Sequence, residues 1–456
     1  MDYSYSEVYT QGTYYLASVA DKVYVNPAGI VELKGLGTQL MFFKNMLEKL
    51  DVDVQIIRHG KFKSAVEPFM LEKMSDSNRE QLERILNTAW GSMINKIAAS
   101  RDIKTATINE LADGLKIRDA AAALKYKFVD GLMYKDELLA ELRNKLDLAE
   151  NEDITSISLG KYAKSKAKKT KSDNKIAIIY ASGTIVSGKG SKDEMGSETI
   201  SKAIREARLD DDVKAIVLRV NSGGGSALAS DVMWRETTLA KKAKPFIVSM
   251  GDVAASGGYY IACAADKIVA SEKTITGSIG VFGIIPNMEG FFNNKMGITF
   301  DGAQTNTHAT IMSVFKPLTG EEKDIIQIGV EKIYDDFITK VAAGRGMTKE
   351  EIDAIGQGRV WVGNDALEIG LVDEIGGLNK AIDIAKEMAN LESYELENYP
   401  KRKDPLEQFI EEFSGNMETR FIKNKLGTNY KYYEKMESVG KYTGIMARMP
   451  YDIDIH

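Results

Sequence analysis

Two stretches of this chain repeat each other: YYLASVADKV at Tyr14–Val23 and YYIACAADKI at Tyr259–Ile268 share six identities in ten positions. The offset of 245 residues places Ser256, just before the second stretch, opposite Gln11 in the first copy. The chain therefore contains a duplicated segment, and the earlier copy lacks a serine that the later copy has.

A second pair of matched segments shows the opposite loss. KSAVEP at Lys63–Pro68 aligns with ATIMSV at Ala309–Val314 at an offset of 246, which places Lys63 opposite Ala309. A serine without a base in one copy and a lysine without a nucleophile in the other predict one composite Ser/Lys site. A duplication without catalytic meaning would be enough to explain the repeat by itself. The loss of the serine from one copy and of the lysine from the other favours the composite site.

The repeat continues towards the end of each copy. ALKYKFVD at Ala123–Asp130 matches ALEIGLVD at Ala366–Asp373 with four identities in eight positions. Between these anchors, each copy has a capping box that predicts the start of a helix, Ser77–Glu80 in the first and Thr319–Glu322 in the second.

The first copy is shorter at its start. In the later copy 80 residues separate Ile176 from Ser256, whereas only 10 residues precede Gln11. The first copy therefore lacks counterparts of the segments IAIIYASGTIV and VKAIVLRV and of the glycine turn that follows them. We interpret the chain as a fragment or an N-terminally truncated product.

Composition narrows the class of protein. The 456 residues are 44% apolar and 28% charged, which is typical of a soluble globular chain with two or three domains. The net charge of −6 argues against general nucleic-acid binding. The lone Cys263 lies in an apolar run and is expected to be a buried small side chain. With only three histidines, among them His59 near Lys63, lysine is the more plausible base.

The later copy alternates short Val- and Ile-rich runs with helical patterns of ten to fifteen residues. This order predicts an α/β fold with a buried, largely parallel sheet. Seven lysines in residues 161–175 indicate a solvated linker, with binding of anionic lipid as the alternative. The predicted parts are a truncated first repeat at 1–150, a lysine-rich linker at 151–175, a second repeat at 176–390, and a helical or coil extension without assigned chemistry at 391–456.

Ser256 and Lys63 need particular surroundings for catalysis. Ser256 follows the run PFIVSMGDV and precedes a helical pattern, so it is either a nucleophile at a sharp strand-to-helix turn or a plain helix cap. Lys63 acts as a base only when neutral, which requires burial or a nearby cation such as Lys61; otherwise it is a surface lysine.

Three further residues are candidates for supporting roles. If Ser256 is the nucleophile, the backbone N–H groups of Gly224 and Gly257 are placed to hold a developing oxyanion. The turn NSGGGS around Gly224 is by itself more typical of a tight turn, and it fits no nucleotide-binding motif. Ser278 in TGSIG is a candidate for orienting the lysine amine, and the same register gives Leu33 in the first copy.

At these residues the chain resembles the signal peptide peptidase A family, also called protease IV, in its long duplicated form. The resemblance extends from Tyr14 to about Ala389 and rests on the segments RVNSGGGS, GDVAASGGYYIA, TGSIGVFG and KFKSAVEPF. It implies tandem repeats of the Clp/crotonase-like fold, with Ser256 as nucleophile, Lys63 as general base, Ser278 positioning the lysine, and Gly224 with Gly257 as the oxyanion hole.

The resemblance also implies a serine endopeptidase that uses no cofactor and degrades apolar peptides such as cleaved signal peptides. It implies a homotetramer at the extracytoplasmic face of a bacterial inner membrane, held by an N-terminal anchor that precedes the part of the family seen here. The chain departs from the family at Gly223, where proline is usual. A crotonase-like acyl-CoA enzyme and a non-catalytic peptide-binding scaffold remain the alternatives.

Overall fold

The structure is a computed structural model and describes residues 1–166, 172–191, 193–400 and 445–449. As far as it is described, the chain divides into two compact units. Of the described residues, the smaller unit comprises 1–39 and 86–166, and the larger unit comprises 40–85, 172–191, 193–400 and 445–449. The segment that carries Lys63 therefore belongs to the same unit as Ser256.

The strands of the described residues are, in chain order, β1 (Tyr3–Tyr9), β2 (Lys22–Val31), β3 (Asp53–Arg58), β4 (Gly131–Leu132), β5 (Lys175–Ser182), β6 (Thr184–Val186), β7 (Glu194–Gly196), β8 (Val213–Ser222), β9 (Gly224–Ser226), β10 (Phe246–Ala255), β11 (Lys267–Ala270), β12 (Ile275–Gly277), β13 (Phe282–Asn287), β14 (Val360–Val362), β15 (Glu374–Ile375), β16 (Glu395–Tyr399) and β17 (Ile445–Arg448).

The α-helices are, in the same order, α1 (Gln11–Ala17), α2 (Lys44–Lys49), α3 (Glu67–Met70), α4 (Asp76–Arg101), α5 (Thr105–Asp113), α6 (Ala120–Lys125), α7 (Lys135–Lys145), α8 (Leu159–Lys166), α9 (Ser197–Leu209), α10 (Ala227–Ala243), α11 (Gly257–Ala262), α12 (Gly320–Arg345), α13 (Lys349–Ile355), α14 (Gly363–Glu368) and α15 (Leu378–Met388). A short 3₁₀ turn covers Ser64–Val66 and a π-helical turn covers Phe291–Met296.

The smaller unit contains a three-stranded parallel sheet in the order β1-β2-β4. Val23, Val25 and Val31 of β2 are fully buried, as expected where side chains at every second position face a core. Aromatic and aliphatic side chains from the helices complete this core, among them Tyr14, Ile97, Ile108 and Phe128.

The main sheet of the larger unit has the order β14-β12-β10-β8-β5-β16, and β11 and β15 extend it from β10. All of its pairings are parallel except that of β12 with β14. Alternate residues of β5 enter two different cores, with Ile179 in one and Ile178 in the other. Burial on both faces explains the continuous apolar runs of these strands and confirms the predicted parallel α/β core.

A second sheet of the larger unit has the order β3-β13-β17-β9-β6-β7. The chain passes from the main sheet into this one at two places. The first is Gly183, between β5 and β6, whose φ of +100° is readily adopted only by glycine, and the second is the glycine turn between β8 and β9. The second sheet therefore begins at the C-terminal ends of β5 and β8, where the glycine turn lies.

The internal repeat has a matching structure in each unit. Tyr14 Oη donates to the Phe128 carbonyl at 2.7 Å, and Tyr259 Oη donates to the Leu371 carbonyl at 2.8 Å. A buried arginine pairs with an aspartate in each copy, Arg101 with Asp130 at 2.9 Å and Arg345 with Asp373 at 3.0 Å. The parallel order β1-β2-β4 likewise corresponds to β10-β11-β15. The duplication seen in the sequence is therefore a duplication of structure.

The structure corrects one predicted helix start. The capping box at Thr319 is present, but Ser77 lies inside α4 and does not cap it. Ser75 Oγ accepts the Asn78 N–H at 3.2 Å, which is the hydrogen bond that an N-cap residue makes with the first helical turn. The prediction failed because either serine is a plausible cap in the sequence SDSNRE.

Two further segments differ from the expectation. Leu159–Lys166, within the predicted linker, is a helix, consistent with the good helix propensity of alanine, leucine and lysine; residues 167–171 lie outside the described residues. In the extension at 391–456, β16 pairs with β5 and β17 lies inside the second sheet, so these parts are strands rather than helix or coil. Residues 401–444 and 450–456 lie outside the described residues.

Candidate active site

Ser256 lies at the turn between β10 and α11, as predicted. Its φ of 53° and ψ of −115° are unusual for a residue with a side chain, and such strain is typical of functional turns. Its N–H donates to the Gly277 carbonyl at 2.8 Å, which holds the turn against β12. The side chain makes no capping hydrogen bond, so the plain helix-cap interpretation of Ser256 is wrong.

Lys63 is brought to Ser256 from a distant part of the sequence. Its Nζ lies 2.9 Å from Ser256 Oγ, 3.0 Å from Ser278 Oγ and 3.2 Å from the Ser278 carbonyl oxygen. Lys63, Ser256 and Ser278 each have an exposed fraction of 0%. The three side chains named from the sequence therefore meet in one solvent-excluded cluster within the larger unit.

Burial lowers the pKa of Lys63 well below its ordinary value, because a buried ammonium loses its hydration. The prediction that Lys61 helps to lower the pKa of Lys63 is wrong. Lys61 is exposed, and its Nζ lies over the Phe62 ring, 5.1 Å from the ring centroid. A lowered pKa favours the neutral amine, which has the free electron pair that a base needs.

Two glycines that were not among the predicted site residues contact the lysine side chain. A Cβ added at Gly358 would lie 2.7 Å from Lys63 Cβ, and one added at Gly280 would lie 3.3 Å from Lys63 Cδ. Gly358 also has a φ of +82°, and its N–H donates to the Ile279 carbonyl at 2.7 Å. Gly358 lies in the segment GQGR before β14. This segment was not part of any motif from which the site was predicted, although its two glycines indicate a turn.

Ser278 is held in a similar way. It has a φ of 49°, and its N–H donates to the Arg359 carbonyl at 2.6 Å. Its Oγ lies 3.4 Å from the Gly358 carbonyl as well as 3.0 Å from Lys63 Nζ. The turn after β12 and the segment before β14 therefore fix the hydroxyl that contacts the lysine.

A buried carboxylate anchors the segment that follows Lys63. Glu67, at the start of α3, is 2% exposed. It accepts hydrogen bonds from Ser75 Oγ at 2.6 Å, from the Ser75 N–H at 3.2 Å and from Asn78 Nδ2 at 2.8 Å. Further along α4, Gln81 Oε1 accepts the Val360 N–H at 2.7 Å. These bonds join the Lys63 segment to the start of α4, and α4 to β14.

The glycine turn lies beside Ser256. Gly224 has a φ of +94°, and a Cβ there would lie 2.6 Å from the Gly257 backbone nitrogen, so the two candidate oxyanion-hole residues are adjacent. The Gly224 N–H donates to Ser222 Oγ at 3.1 Å. Gly223, where the family usually has proline, has open space, since a Cβ there would meet nothing nearer than Met449 at 3.6 Å.

The equivalent positions in the first copy have structural roles. Gln11 Oε1 accepts the N–H groups of Lys34 and Gly35 at 2.7 and 2.9 Å, and its Nε2 donates to the Gly35 carbonyl at 2.9 Å. Leu33, in the register of Ser278, is a buried core residue. The glutamine amide thus satisfies backbone groups where the second copy has a serine.

The remaining candidate residues lie outside this cluster. His59 stacks on Tyr334 and its Nδ1 lies 2.6 Å from Glu331 Oε2, so its nearest ionisable partner is an acid and not the serine. Cys263 is fully buried, and burial raises the pKa of its thiol to about 12, as expected for an unreactive cysteine. The described residues contain no cluster of His, Cys, Asp and Glu that would hold a metal ion. Nor does any helix among them have the length and apolarity to cross a membrane.

Comparison with known proteins agrees with these motifs. Residues 3–149 and 238–392 match peptidase family S49. Protease 4 of Haemophilus influenzae is 39% identical over 406 residues, which are 85% of this chain and 64% of that protein. Protease 4 of Salmonella typhi is 39% identical over 426 residues, 91% of this chain and 68% of that protein. The chloroplastic serine protease SPPA of Arabidopsis thaliana is 33% identical over 393 residues, 83% of this chain and 57% of that protein.

The chain thus spans about two thirds of the length of the Protease 4 relatives that it matches. The two segments of the family match correspond to the two copies of the repeat, so the predicted class of tandem Clp/crotonase-like α/β repeats is confirmed. The chain belongs to peptidase family S49, and its resemblance to the signal peptide peptidase A, or protease IV, proteins is confirmed.

Proposed function

We propose that this chain is a serine endopeptidase in which Ser256 is the nucleophile and Lys63 is the general base. The observation that carries the proposal is the 2.9 Å contact between Ser256 Oγ and the amine of a fully buried lysine. A buried structural lysine normally pairs with a carboxylate. Within the described part of the chain, the hydrogen-bond partners of Lys63 Nζ are instead two serine hydroxyls and a carbonyl oxygen.

The proposed reaction has two stages. Neutral Lys63 accepts the Ser256 hydroxyl proton while Oγ bonds to the carbonyl carbon of the scissile peptide bond. The resulting ammonium donates that proton to the leaving nitrogen as the C–N bond breaks, which leaves an acyl-enzyme. A water molecule, deprotonated by Lys63, then hydrolyses the ester and restores Ser256.

Ser278 has a positioning role in this proposal. Its hydroxyl and carbonyl oxygens contact Lys63 Nζ at 3.0 and 3.2 Å, so they direct the amine towards Ser256 Oγ. In this respect Ser278 resembles the third group that orients the base in other nucleophile–base pairs.

Gly224 and Gly257 are the proposed oxyanion-hole donors. Gly257 follows the nucleophile at the start of α11, where the N–H has no partner within the helix. The Gly224 N–H must exchange its hydrogen bond to Ser222 Oγ for one to the substrate oxygen. Two such donors stabilise the charge that develops on the carbonyl oxygen, each contributing about 3–4 kcal/mol to the barrier reduction in comparable sites.

The proposed substrates are apolar peptides, in particular signal peptides after their release from preproteins. The resemblance to signal peptide peptidase A supports this substrate class and also supports a homotetramer associated with a bacterial membrane. Assembly and membrane association stay predictions for this chain.

Hydrolysis of an apolar peptide ester tests the proposal. Ser256→Ala and Lys63→Ala should each lower kcat by a factor of at least about 10² while circular dichroism shows an intact fold. A fluorophosphonate, which reacts with activated serines, should label wild-type Ser256. Substantial activity in either variant would contradict the Ser/Lys site and would favour an acyl-CoA enzyme. A wild-type chain that neither hydrolyses the ester nor reacts with the fluorophosphonate would favour a peptide-binding scaffold.

A further inference from the structure

A single turn, residues 356–359 between α13 and β14, contacts both Lys63 and Ser278. A Cβ added at Gly358 would lie 2.7 Å from Lys63 Cβ, and the Gly358 carbonyl oxygen lies 3.4 Å from Ser278 Oγ. The Arg359 carbonyl accepts the Ser278 N–H at 2.6 Å. The position of this turn therefore sets the positions of the proposed base and of the hydroxyl beside it.

The turn is also bonded to the segment that leads into Lys63. The Gln357 carbonyl accepts the Phe62 N–H at 3.1 Å, and a Cβ added at Gly60 would lie 2.4 Å from the same oxygen. Gln357 has a φ of +52°, which is unfavourable for a residue with a side chain. Such a conformation persists only where surrounding contacts hold it, so the turn needs a support outside its own backbone.

Tyr334 on α12 supplies this support. Its hydroxyl donates to Asp353 Oδ1 at 2.6 Å and accepts the Gln357 N–H at 3.1 Å. The side chain is buried, and burial together with the hydrogen bond to Asp353 raises the pKa of Tyr334, so the hydroxyl keeps its proton. The ring also stacks on His59 with 3.7 Å between centroids. One hydroxyl thus joins α13 to the strained residue of the turn.

The first copy of the repeat has a different pair at the equivalent positions. α4 and α12 begin at an offset of 244 residues, and so do α5 and α13. At this offset Trp90 corresponds to Tyr334 and Asn109 to Asp353, and Trp90 Nε1 donates to Asn109 Oδ1 at 2.7 Å. An indole N–H only donates, so it cannot also accept a backbone N–H. Of the two pairs, only the one in the copy that carries Ser256 can hold a turn in this way.

We propose that Tyr334 is a positioning residue for the general base. Its hydroxyl fixes the turn 356–359 through Gln357, and the turn fixes Lys63 and Ser278 relative to Ser256. The inference rests on the proposed Ser/Lys function. Because the hydroxyl acts on the base and not on the substrate, its loss should slow the chemical step without weakening substrate binding.

Full-length variants test this inference. Tyr334→Phe removes the hydroxyl and keeps the ring. Tyr14→Phe is the matched control, because Tyr14 is 1% exposed and its hydroxyl donates to the Phe128 carbonyl in the smaller unit. Asp353→Asn keeps an oxygen that accepts the Tyr334 hydroxyl, whereas Asp353→Ala removes it.

The first measurement is kcat and KM for an apolar peptide ester. Tyr334→Phe and Asp353→Ala should lower kcat by about tenfold or more and leave KM within about twofold, while Tyr14→Phe and Asp353→Asn should keep both values within about twofold. A wild-type kcat in Tyr334→Phe, or an equal fall of kcat in both tyrosine variants, overturns the inference. If circular dichroism shows that Tyr334→Phe is unfolded, the comparison of Asp353→Ala with Asp353→Asn replaces it.

The second measurement is independent of catalysis. Amide hydrogen exchange, followed by mass spectrometry, should become about fivefold or more faster in Tyr334→Phe within residues 60–66 and 356–359, and should stay unchanged there in Tyr14→Phe. Unchanged exchange in Tyr334→Phe overturns the inference. If exchange accelerates while the wild-type chain neither hydrolyses the ester nor reacts with a fluorophosphonate, the positioning of Lys63 by Tyr334 stands and the proposed Ser/Lys function fails.

Discussion

Lys63 Nζ lies 2.9 Å from Ser256 Oγ although 193 positions separate the two residues in the sequence. Each comes from a different copy of the internal repeat, and each has lost its counterpart in the other copy, as Gln11 and Ala309 show. The segment with Lys63 is part of the larger unit, so both residues of the proposed dyad are held within the same compact unit.

The lowered pKa of Lys63 predicts how activity depends on pH. Only neutral lysine is a base, so kcat/KM should fall as the pH drops below the pKa of Lys63 and should reach a plateau above it. Lys63→Arg should lose at least about 10²-fold in activity at every pH, because guanidinium stays protonated. An active Lys63→Arg variant would contradict the role of Lys63.

The same lowered pKa predicts that Lys63 reduces stability. At neutral pH the unfolded chain binds a proton at this lysine more tightly than the folded chain does, which lowers the free energy of unfolding. This destabilisation is present below the pKa of the unfolded lysine and disappears as the pH rises towards about 10.4. Lys63→Met should therefore raise the Tm at neutral pH, and the gain should shrink near pH 10. Thermal melts at pH 7 and pH 10 measure this, and a lower Tm at pH 7 would contradict it.

Gly358 should be required for the position of the lysine. Gly358→Ala adds a methyl group that would lie 2.7 Å from Lys63 Cβ, so activity should fall by about tenfold or more. Gly346→Ala is the matched control, because Gly346 has a similar φ of +68° but open space around it. The control should lose about 1 kcal/mol of stability and keep its kcat. Equal kcat in the two variants would exclude the proposed contact.

Glu67 should support the lysine segment through its buried hydrogen bonds. Glu67→Gln replaces one acceptor oxygen by a donor group, so one of the buried hydrogen bonds from Ser75 or Asn78 to this side chain is lost, which should cost about 1–3 kcal/mol in the free energy of unfolding. Glu72→Gln, at a side chain that is 63% exposed, should be neutral. Denaturant titration of both variants distinguishes them, and equal stability would show that these bonds contribute little.

The first copy should not gain a nucleophile from serine alone. Gln11→Ser restores the serine of the repeat, but the position of Ser278 there is the buried Leu33. Fluorophosphonate labelling should thus be unchanged, and Ser256→Ala/Gln11→Ser should be unlabelled. Labelling of residue 11 in the double variant would show that each copy can build a site by itself.

The sequence predicted those parts of the site that local motifs or the repeat carry. Ser256 follows a strand and precedes a helix, and comparison of the two copies identified it as a candidate because the first copy has no serine at the equivalent position. Lys63 was visible for the same reason, although no local pattern distinguishes it from an exposed lysine. Its burial, which lowers its pKa, depends on residues distant in the sequence, among them Gly280 and Gly358, which approach it only in the folded chain.

The parts that escaped prediction depend on long-range contacts. Gly358 and Gln81 belong to segments that have no catalytic motif, and their roles follow from packing against Lys63 and from the hydrogen bond to Val360. β17 is a strand of four residues in a tyrosine-rich extension, and it is defined by the two edges beside it rather than by its own pattern. Short inserted strands of this kind carry little signal in the sequence.

The central claim is that buried, neutral Lys63 activates Ser256. The most direct measurement is identification by mass spectrometry of the residue that a fluorophosphonate modifies, in the wild-type chain and in folded Lys63→Met. The claim predicts modification at Ser256 in the wild type and at least about 10²-fold slower modification in Lys63→Met. Modification of Ser256 at the same rate in both chains would contradict it.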